Sequence, residues 1–186
     1  MIHLQTSLRQ FMLALAVSCG LLAGCAGPQI NDYANEKPAL DLRQYFSGTV
    51  DAYGVFTDRS GKIVKRFTVE MICKWTGAPG QETGVLDEYF TYSDGTKERR
   101  VWTLKRGADG KYQGTAADVL GVANGEVKGN AFRWNYTLLL PVDGKTIEVQ
   151  FDDWMYLIND KVMLNKAEMS KFGFKLGEVT LTFVKR

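Results

Sequence analysis

Ile63-Val64-Lys65-Arg66-Phe67-Thr68-Val69-Glu70-Met71-Ile72-Cys73-Lys74-Trp75 is the stretch whose reading decides the fold. Its odd positions are Ile63, Lys65, Phe67, Val69, Met71, Cys73 and Trp75. Its even positions are Val64, Arg66, Thr68, Glu70, Ile72 and Lys74. Successive side chains of a strand point to opposite faces, so a period of two predicts a strand with one buried and one wet surface. Cys73 falls on the apolar face and, with no histidine nearby, reads as a small core hydrophobe rather than a reactive thiol.

Turn signals flank this strand and recur along the chain. Ser60-Gly61, Asp94-Gly95, Asp109-Gly110, Asn124-Gly125 and Asp143-Gly144 are hairpin-type dipeptides, and Asn159-Asp160 fits a similar turn. Between them lie segments rich in Val, Ile, Phe, Tyr, Trp and Thr, over 46–57, 83–93, 96–106, 110–117, 119–127, 130–140, 145–158, 161–170 and 174–185. No stretch carries a strong helical period, although Asp41-Leu42-Arg43-Gln44 suits the start of a short helix. Asn165-Lys166-Ala167-Glu168 mimics a helix-capping box, but the alternation around it favours a strand. Long antiparallel strands must bury one face and hide their edges, and a closed barrel does both. The expected fold is therefore all-β, an antiparallel up-and-down barrel of about eight to ten strands, lipocalin-like, with a two-sheet β-sandwich as the alternative. Charges on both faces of several strands argue against a barrel that spans a membrane.

The N-terminus reads differently. Met1 to Gln10 is polar and carries Arg9, and Phe11 to Leu22 is apolar. That run is shorter than the roughly 20 apolar residues a spanning helix needs, and Ser18, Cys19 and Gly20 interrupt it. Leu22-Ala23-Gly24-Cys25 then looks like a bacterial lipobox. Residues 1–24 are expected to be a cleaved signal peptide, with cleavage after Gly24 and lipid attached to Cys25. Residues 25–44, with Gly27, Pro28 and Pro38, are expected to form the lipidated N-terminus and tether, and 45–186 the barrel domain. Ala26 after the lipid cysteine, rather than an aspartate, points to the outer membrane, with the body facing the periplasm.

This leader also constrains the chemistry. The chain has 1 His and 3 Cys; His3 and Cys19 leave with the leader and Cys25 is acylated, so only Cys73 remains. Ser-His-Asp and Cys-His catalysis and the usual zinc sites are excluded, and no intrachain disulfide can form. With 23 Lys+Arg against 21 Asp+Glu and no basic face, nucleic acid is not an expected partner. No phosphate loop, dinucleotide fingerprint or metal-ligand cluster occurs, and Gly107-Ala108-Asp109-Gly110 is a turn with no helix after it. No catalytic residue, metal or cofactor is assigned.

Thr146 to Ile158 is the most informative stretch for a site. Ile147, Val149, Phe151, Asp153, Met155 and Leu157 share one face, so Asp153 interrupts an apolar surface. A buried carboxylate must be paired, hydrogen-bonded, protonated or open to a cavity. A salt bridge with Arg100 or Arg133, or a bulge turning Asp153 outward, is one reading; a polar anchor inside a ligand cavity is the other. Asp152 and Asp153 face opposite ways and cannot act as a catalytic pair without a bulge. Leu86, Glu88, Phe90 and Tyr92 share a face, as do Glu98, Arg100, Trp102 and Leu104, so Glu88 and Arg100 are placed to meet across the Asp94-Gly95 hairpin. Val119, Gly121, Ala123, Gly125 and Val127 are small and fall on one face, which leaves space for a cavity or for close strand crossing. Trp75, Trp102, Trp134 and Trp154 read as barrel plugs more readily than as ligand stackers. The candidate pocket is Asp153, Arg100, Arg133, Trp102, Trp154 and Tyr156.

Asp152-Asp153-Trp154-Met155-Tyr156-Leu157, Leu164-Asn165-Lys166-Ala167, Met169-Ser170-Lys171-Phe172-Gly173-Phe174 and Gly177-Glu178-Val179-Thr180-Leu181-Thr182-Phe183, with Tyr45-Phe46-Ser47-Gly48 and Gly54, resemble a family of small proteobacterial lipoproteins of unknown function. The likeness spans the mature chain and is most specific in its last third. It implies a lipidated envelope protein with a calycin-like barrel and no established activity. Members resemble neighbours of fatty-acid-modifying enzymes in gene clusters, which suits a lipid-related role. The resulting expectation is an outer-membrane lipoprotein whose barrel binds a fatty acid or another small amphiphile. The alternatives are a filled barrel that engages an envelope partner, and an enzyme using carboxylate, Tyr or Lys groups.

Overall fold

The computed structural model describes residues 27–142 and 144–186. The leader, Gly24, Cys25 and Asp143 lie outside the described residues. Ten strands follow one another: β1 (Gly48–Asp58), β2 (Ile63–Thr76), β3 (Thr83–Tyr92), β4 (Lys97–Arg106), β5 (Tyr112–Thr115), β6 (Ala123–Lys128), β7 (Ala131–Val142), β8 (Lys145–Leu157), β9 (Val162–Lys171) and β10 (Phe174–Lys185). Each pairs antiparallel with its sequence neighbour, and β1 pairs with β10, so the sheet closes into an up-and-down barrel. The barrel reading holds and the sandwich does not. In β2 the buried positions Phe67, Val69, Met71 and Cys73 are the odd ones, as the period of two requires. Burial holds the Cys73 thiol up to about 12, so it stays protonated.

The hairpin tips at Ser60-Gly61, Asp94-Gly95 and Asp109-Gly110 fall where expected; Gly95, for example, takes φ 85°, which favours glycine. Asn124-Gly125 does not turn. Both residues lie inside β6, and the reversal comes at Gly129-Asn130. The expected strand over 119–127 is accordingly shorter. Its first residues form the loop after β5, with one bridge from Val119 to Leu138. Gly125 is small for a packing reason. It sits opposite Trp134, and a Cβ there would come within 2.6 Å of Phe132 Cζ and closer still to Trp134.

Residues expected as a tether are packed instead. A 3-10 turn, Ile30–Tyr33, lies on the outer wall, where Tyr33 sits 5.7 Å from Trp154 and 5.3 Å from Tyr156 between ring centroids. The Leu40 amide donates to the Gly129 carbonyl at 2.7 Å. The short helix is present as one turn, Leu42–Tyr45, with the Asp41 carboxylate accepting from the Gln44 amide at 3.1 Å. Leu42, Tyr45 and Phe46 are buried and close one end of the barrel. The Tyr45 hydroxyl donates to the carbonyls of Lys161 (3.0 Å) and Phe183 (3.2 Å), and the Trp75 indole donates to that of Phe46 (2.6 Å). Apolar packing and satisfied polar edges both fix this floor. Trp75 therefore locks the floor rather than filling the centre.

Gly125→Val drives a branched side chain into Trp134 and Phe132. The expected cost is about 1–3 kcal/mol, read as a lower urea midpoint at unchanged slope.

Candidate functional site

The barrel encloses a cavity of about 860 Å³. Leu42 and Phe46 form its floor, and Ala52, Val69, Met71, Leu138, Phe151, Ala167 and Leu181 contribute to its apolar walls. Lys65, Tyr92, Glu98 and Pro141 stand nearer the open end. The hairpins at that end expose Ile63 and Val64 and, most of all, Phe172 (85%) and Phe174 (75%). The volume lies in the range of small-molecule sites, as does the mix of apolar walls with few polar groups.

The polar groups converge from several elements. Asp153 on β8 points inward, is 6% exposed, and accepts a hydrogen bond from the Asn165 amide on β9. Tyr136 on β7 stands beside Asp153 and holds its pKa down a little against that burial. Glu88 on β3 stands opposite Arg100 on β4, as expected from the hairpin register. Arg100 is held by Asp118 from the loop after β5, with Nε 2.9 Å and Nη2 2.7 Å from one carboxylate oxygen. Burial pushes the Glu88 carboxyl up to about 7, against the lowering effect of Arg100. Burial likewise raises Asp153 to about 7, against the bond from Asn165. Burial disfavours the charge on Arg100, but Glu88 and Asp118 outweigh it, so its pKa stays above the ordinary value. Tyr136, raised by burial, feels Asp153, Arg100, Glu88 and Asp118 together, which marks these five groups as one cluster.

The expected pocket residues separate into two sets. Asp153, Arg100 and Trp102 line the cavity. Arg133, Trp154 and Tyr156 do not, because they occupy the alternate, outward positions of β7 and β8. Arg133 pairs with Asp152 through two bonds of 2.8 and 2.9 Å, and its guanidinium lies 5.0 Å over the Trp154 ring. Asp153 thus forms a salt bridge with neither Arg133 nor Arg100: each arginine is bound to another aspartate. No bulge turns Asp153 outward, since β8 keeps its register through Asp152 and Asp153 with both neighbours. Asp152 and Asp153 face opposite sides, so the carboxyls that share the cavity are Glu88 and Asp153. The small residues expected to leave room do not line the cavity; the rings of Trp134 and Phe132 fill the space over Gly125. Arg99 and Arg100 are both paired, Arg99 with Asp87 at 2.7 Å.

Glu88, Tyr136, Asn165 and Asp118 are site residues beyond the candidate set. Asn165 carries the same signal as Asp153, a polar side chain among Met163, Ala167 and Met169 on one strand face. Asp118 carries no such signal, because a loop brings it in. Among the described residues no group of His, Cys, Asp and Glu could hold a metal ion.

A family model described as a protein of unknown function, DUF3833, matches residues 19–185. The chain belongs to the DUF3833 family. No curated protein matches it. Among solved structures, this DUF3833 barrel is similar to the S-type phycobiliprotein lyase CPES from Guillardia theta, at TM-score 0.61 and 8% identity, covering 86% of this chain and 98% of that one. It is also matched to EF1p2_mFAP2b bound to DFHBI, at TM-score 0.43 and 14% identity, covering 77% and 95%. The first likeness is one of fold, and the DUF3833 barrel is lipocalin-like in that sense.

A carboxyl whose pKa is raised by folding keeps its proton in the folded state while the unfolded chain loses it. Stability therefore falls as pH rises from the ordinary carboxylate range towards about 7, and levels off above that. Thermal melts across this range should show that fall, and Glu88→Gln should make it shallower, gaining on the order of 1 kcal/mol above neutrality, with the share of Asp153 left in place.

Proposed function

We propose that this protein binds a small amphiphile with a single alkyl chain inside its barrel, and that lipid on Cys25 holds it at the bacterial cell envelope. The observation that carries the first part is the cavity of about 860 Å³, apolar on most of its wall and furnished with one compact polar cluster. Apolar walls supply affinity through burial, and a few convergent polar groups orient a head. The open end, fringed by Phe172 and Phe174, offers an apolar ligand a way in that limits its contact with water. Such fringes suit a ligand that leaves a membrane rather than free solution.

The second part rests on the Leu22–Cys25 motif and its resemblance to a lipobox, with Ala26 favouring the outer membrane and a periplasm-facing body. The alternative of a filled barrel that engages an envelope partner has less support. The interior is not filled, Trp134 lies inside, and Tyr33 of the same chain covers Trp154 and Tyr156 on the outer wall.

Native mass spectrometry of the delipidated protein purified from its host should find a co-purifying small molecule. A repeatedly empty protein would overturn the binding reading. Ala167→Phe extends a ring from a cavity-lining position and should weaken binding of a single-chain amphiphile about tenfold or more, with the circular dichroism spectrum unchanged.

Cys25→Ser should move the protein from the membrane fraction to the soluble fraction while it stays folded. Retention in the membrane fraction would sink the anchor.

A further inference from the structure

Resting on the binding reading above, we infer that the head of the ligand is cationic, an amine or quaternary ammonium, and not a carboxylate. The polar cluster holds one guanidinium against three carboxyl groups. Arg100 is the only cation in that cluster, and it is occupied: its Nε and Nη2 form the fork of bonds to Asp118, and Glu88 stands across the strand pair from it. An anionic head entering the cavity would find Arg100 neutralised and would face Glu88 and Asp153 as well. In a site shielded from water such like-charge contacts are costly, because little solvent screens them.

Glu88 is the residue that points to a ligand. Its side chain is half-buried and lines the cavity. Among the described residues Arg100 forms its ion pair with Asp118, and no hydrogen bond or ion pair joins Glu88 to a neighbour. A carboxyl drawn partly out of water with open acceptor capacity costs free energy unless something fills it. Asp153 differs, since Asn165 satisfies one of its oxygens.

The aromatic wall favours the same class of head. Phe90, Trp102, Tyr136 and Phe151 line the cavity, with Trp102 and Tyr136 edge to face at 5.3 Å and Tyr136 stacked on Phe151 at 4.9 Å. Phe90 already carries a cation, the Arg100 guanidinium, 5.5 Å from its centroid. Ring faces attract organic cations, most strongly where water is excluded. Carboxyls and ring faces on one cavity make a receptor for an alkylammonium.

The preference should depend on pH with a definite sign. Glu88 is faced by Arg100 from β4, Asp118 from the loop, Tyr136 from β7 and Asp153 from β8, with Asp87 behind it on its own strand. Glu98 and Lys65 stand towards the mouth. Burial raises Glu88 and Asp153 to about 7, so the cluster gains negative charge as pH rises through that value. Affinity for a cation rises over that interval and affinity for a carboxylate falls.

The test is isothermal titration calorimetry of the purified protein with dodecyltrimethylammonium and dodecanoate below their micelle concentrations and dodecanol below its solubility limit. Above neutrality the ammonium should bind about tenfold or more tighter than the carboxylate, with the alcohol between them. Glu88→Gln and Asp153→Asn should each reduce that ratio, and the double variant should abolish it while still binding dodecanol, which shows that the fold and cavity persist. Equal or tighter binding of dodecanoate above neutrality overturns the inference while leaving the binding reading intact, as does a preference that survives in the double variant. If none of the three binds, the cavity is not an amphiphile site and both readings fall.

Discussion

An antiparallel sheet of ten strands leaves two rows of unsatisfied amides and carbonyls unless its first and last strands meet. Here β1 and β10 pair in continuous register from Val50 opposite Lys185 to Asp58 opposite Gly177. Every other feature depends on that seam. It removes the edges, turns alternate side chains of all ten strands towards one axis, and so creates an interior. The floor reinforces it: the Tyr45 hydroxyl binds the Phe183 carbonyl on β10, and Arg186 reaches Asp51 on β1. The strand-paired wall and the plugged end are thus one construction, with the opposite end left open.

The interior is divided between a packed part and the cavity. Near the floor, Trp134, Phe132 and Tyr112 meet in edge and tilted contacts, and Gly125 and Gly114 yield them space. Elsewhere the side chains stop short of one another, and the polar cluster lies on the wall of the space that remains. Drawing these groups out of water is tolerable because Arg100 and Asp118 pair while still partly exposed, and Glu88 and the buried Asp153 are able to hold protons. The outer wall carries a comparable pair. Asp152 and Arg133 pair under partial exposure to water, where both charges keep much of their hydration.

Much of the site was legible from alternation. Asp153 interrupts an apolar face, Glu88 and Arg100 fall opposite each other across a hairpin, and alternation puts Asp152 on the face opposite Asp153. The same rule sends Arg133, Trp154 and Tyr156 outwards, so grouping them with Asp153 put an aromatic and arginine cluster on the wrong side of the wall. Glycine was less legible. Asn124-Gly125 has the chemistry of a turn, but Gly125 serves close approach to Trp134, and local sequence does not separate those two uses. The packing of residues 27–45 was also hidden, because Gly27, Pro28 and Pro38 read as a tether while Tyr33, Leu40 and Leu42 anchor the segment through contacts distant in sequence.

What the chain determines by itself is therefore the fold class, the strand order and which face each strand residue takes. These follow from a period of two and from turns a few residues long, both of which are local. Tertiary structure alone decided that Arg100 is bound by Asp118, that the small face of β6 is filled by rings, and that a cavity of about 860 Å³ remains. Those outcomes depend on which side chains from non-adjacent strands and loops reach the same point. Distance across a closed barrel is set by its curvature and closure, and is not written in the spacing of residues along any one strand.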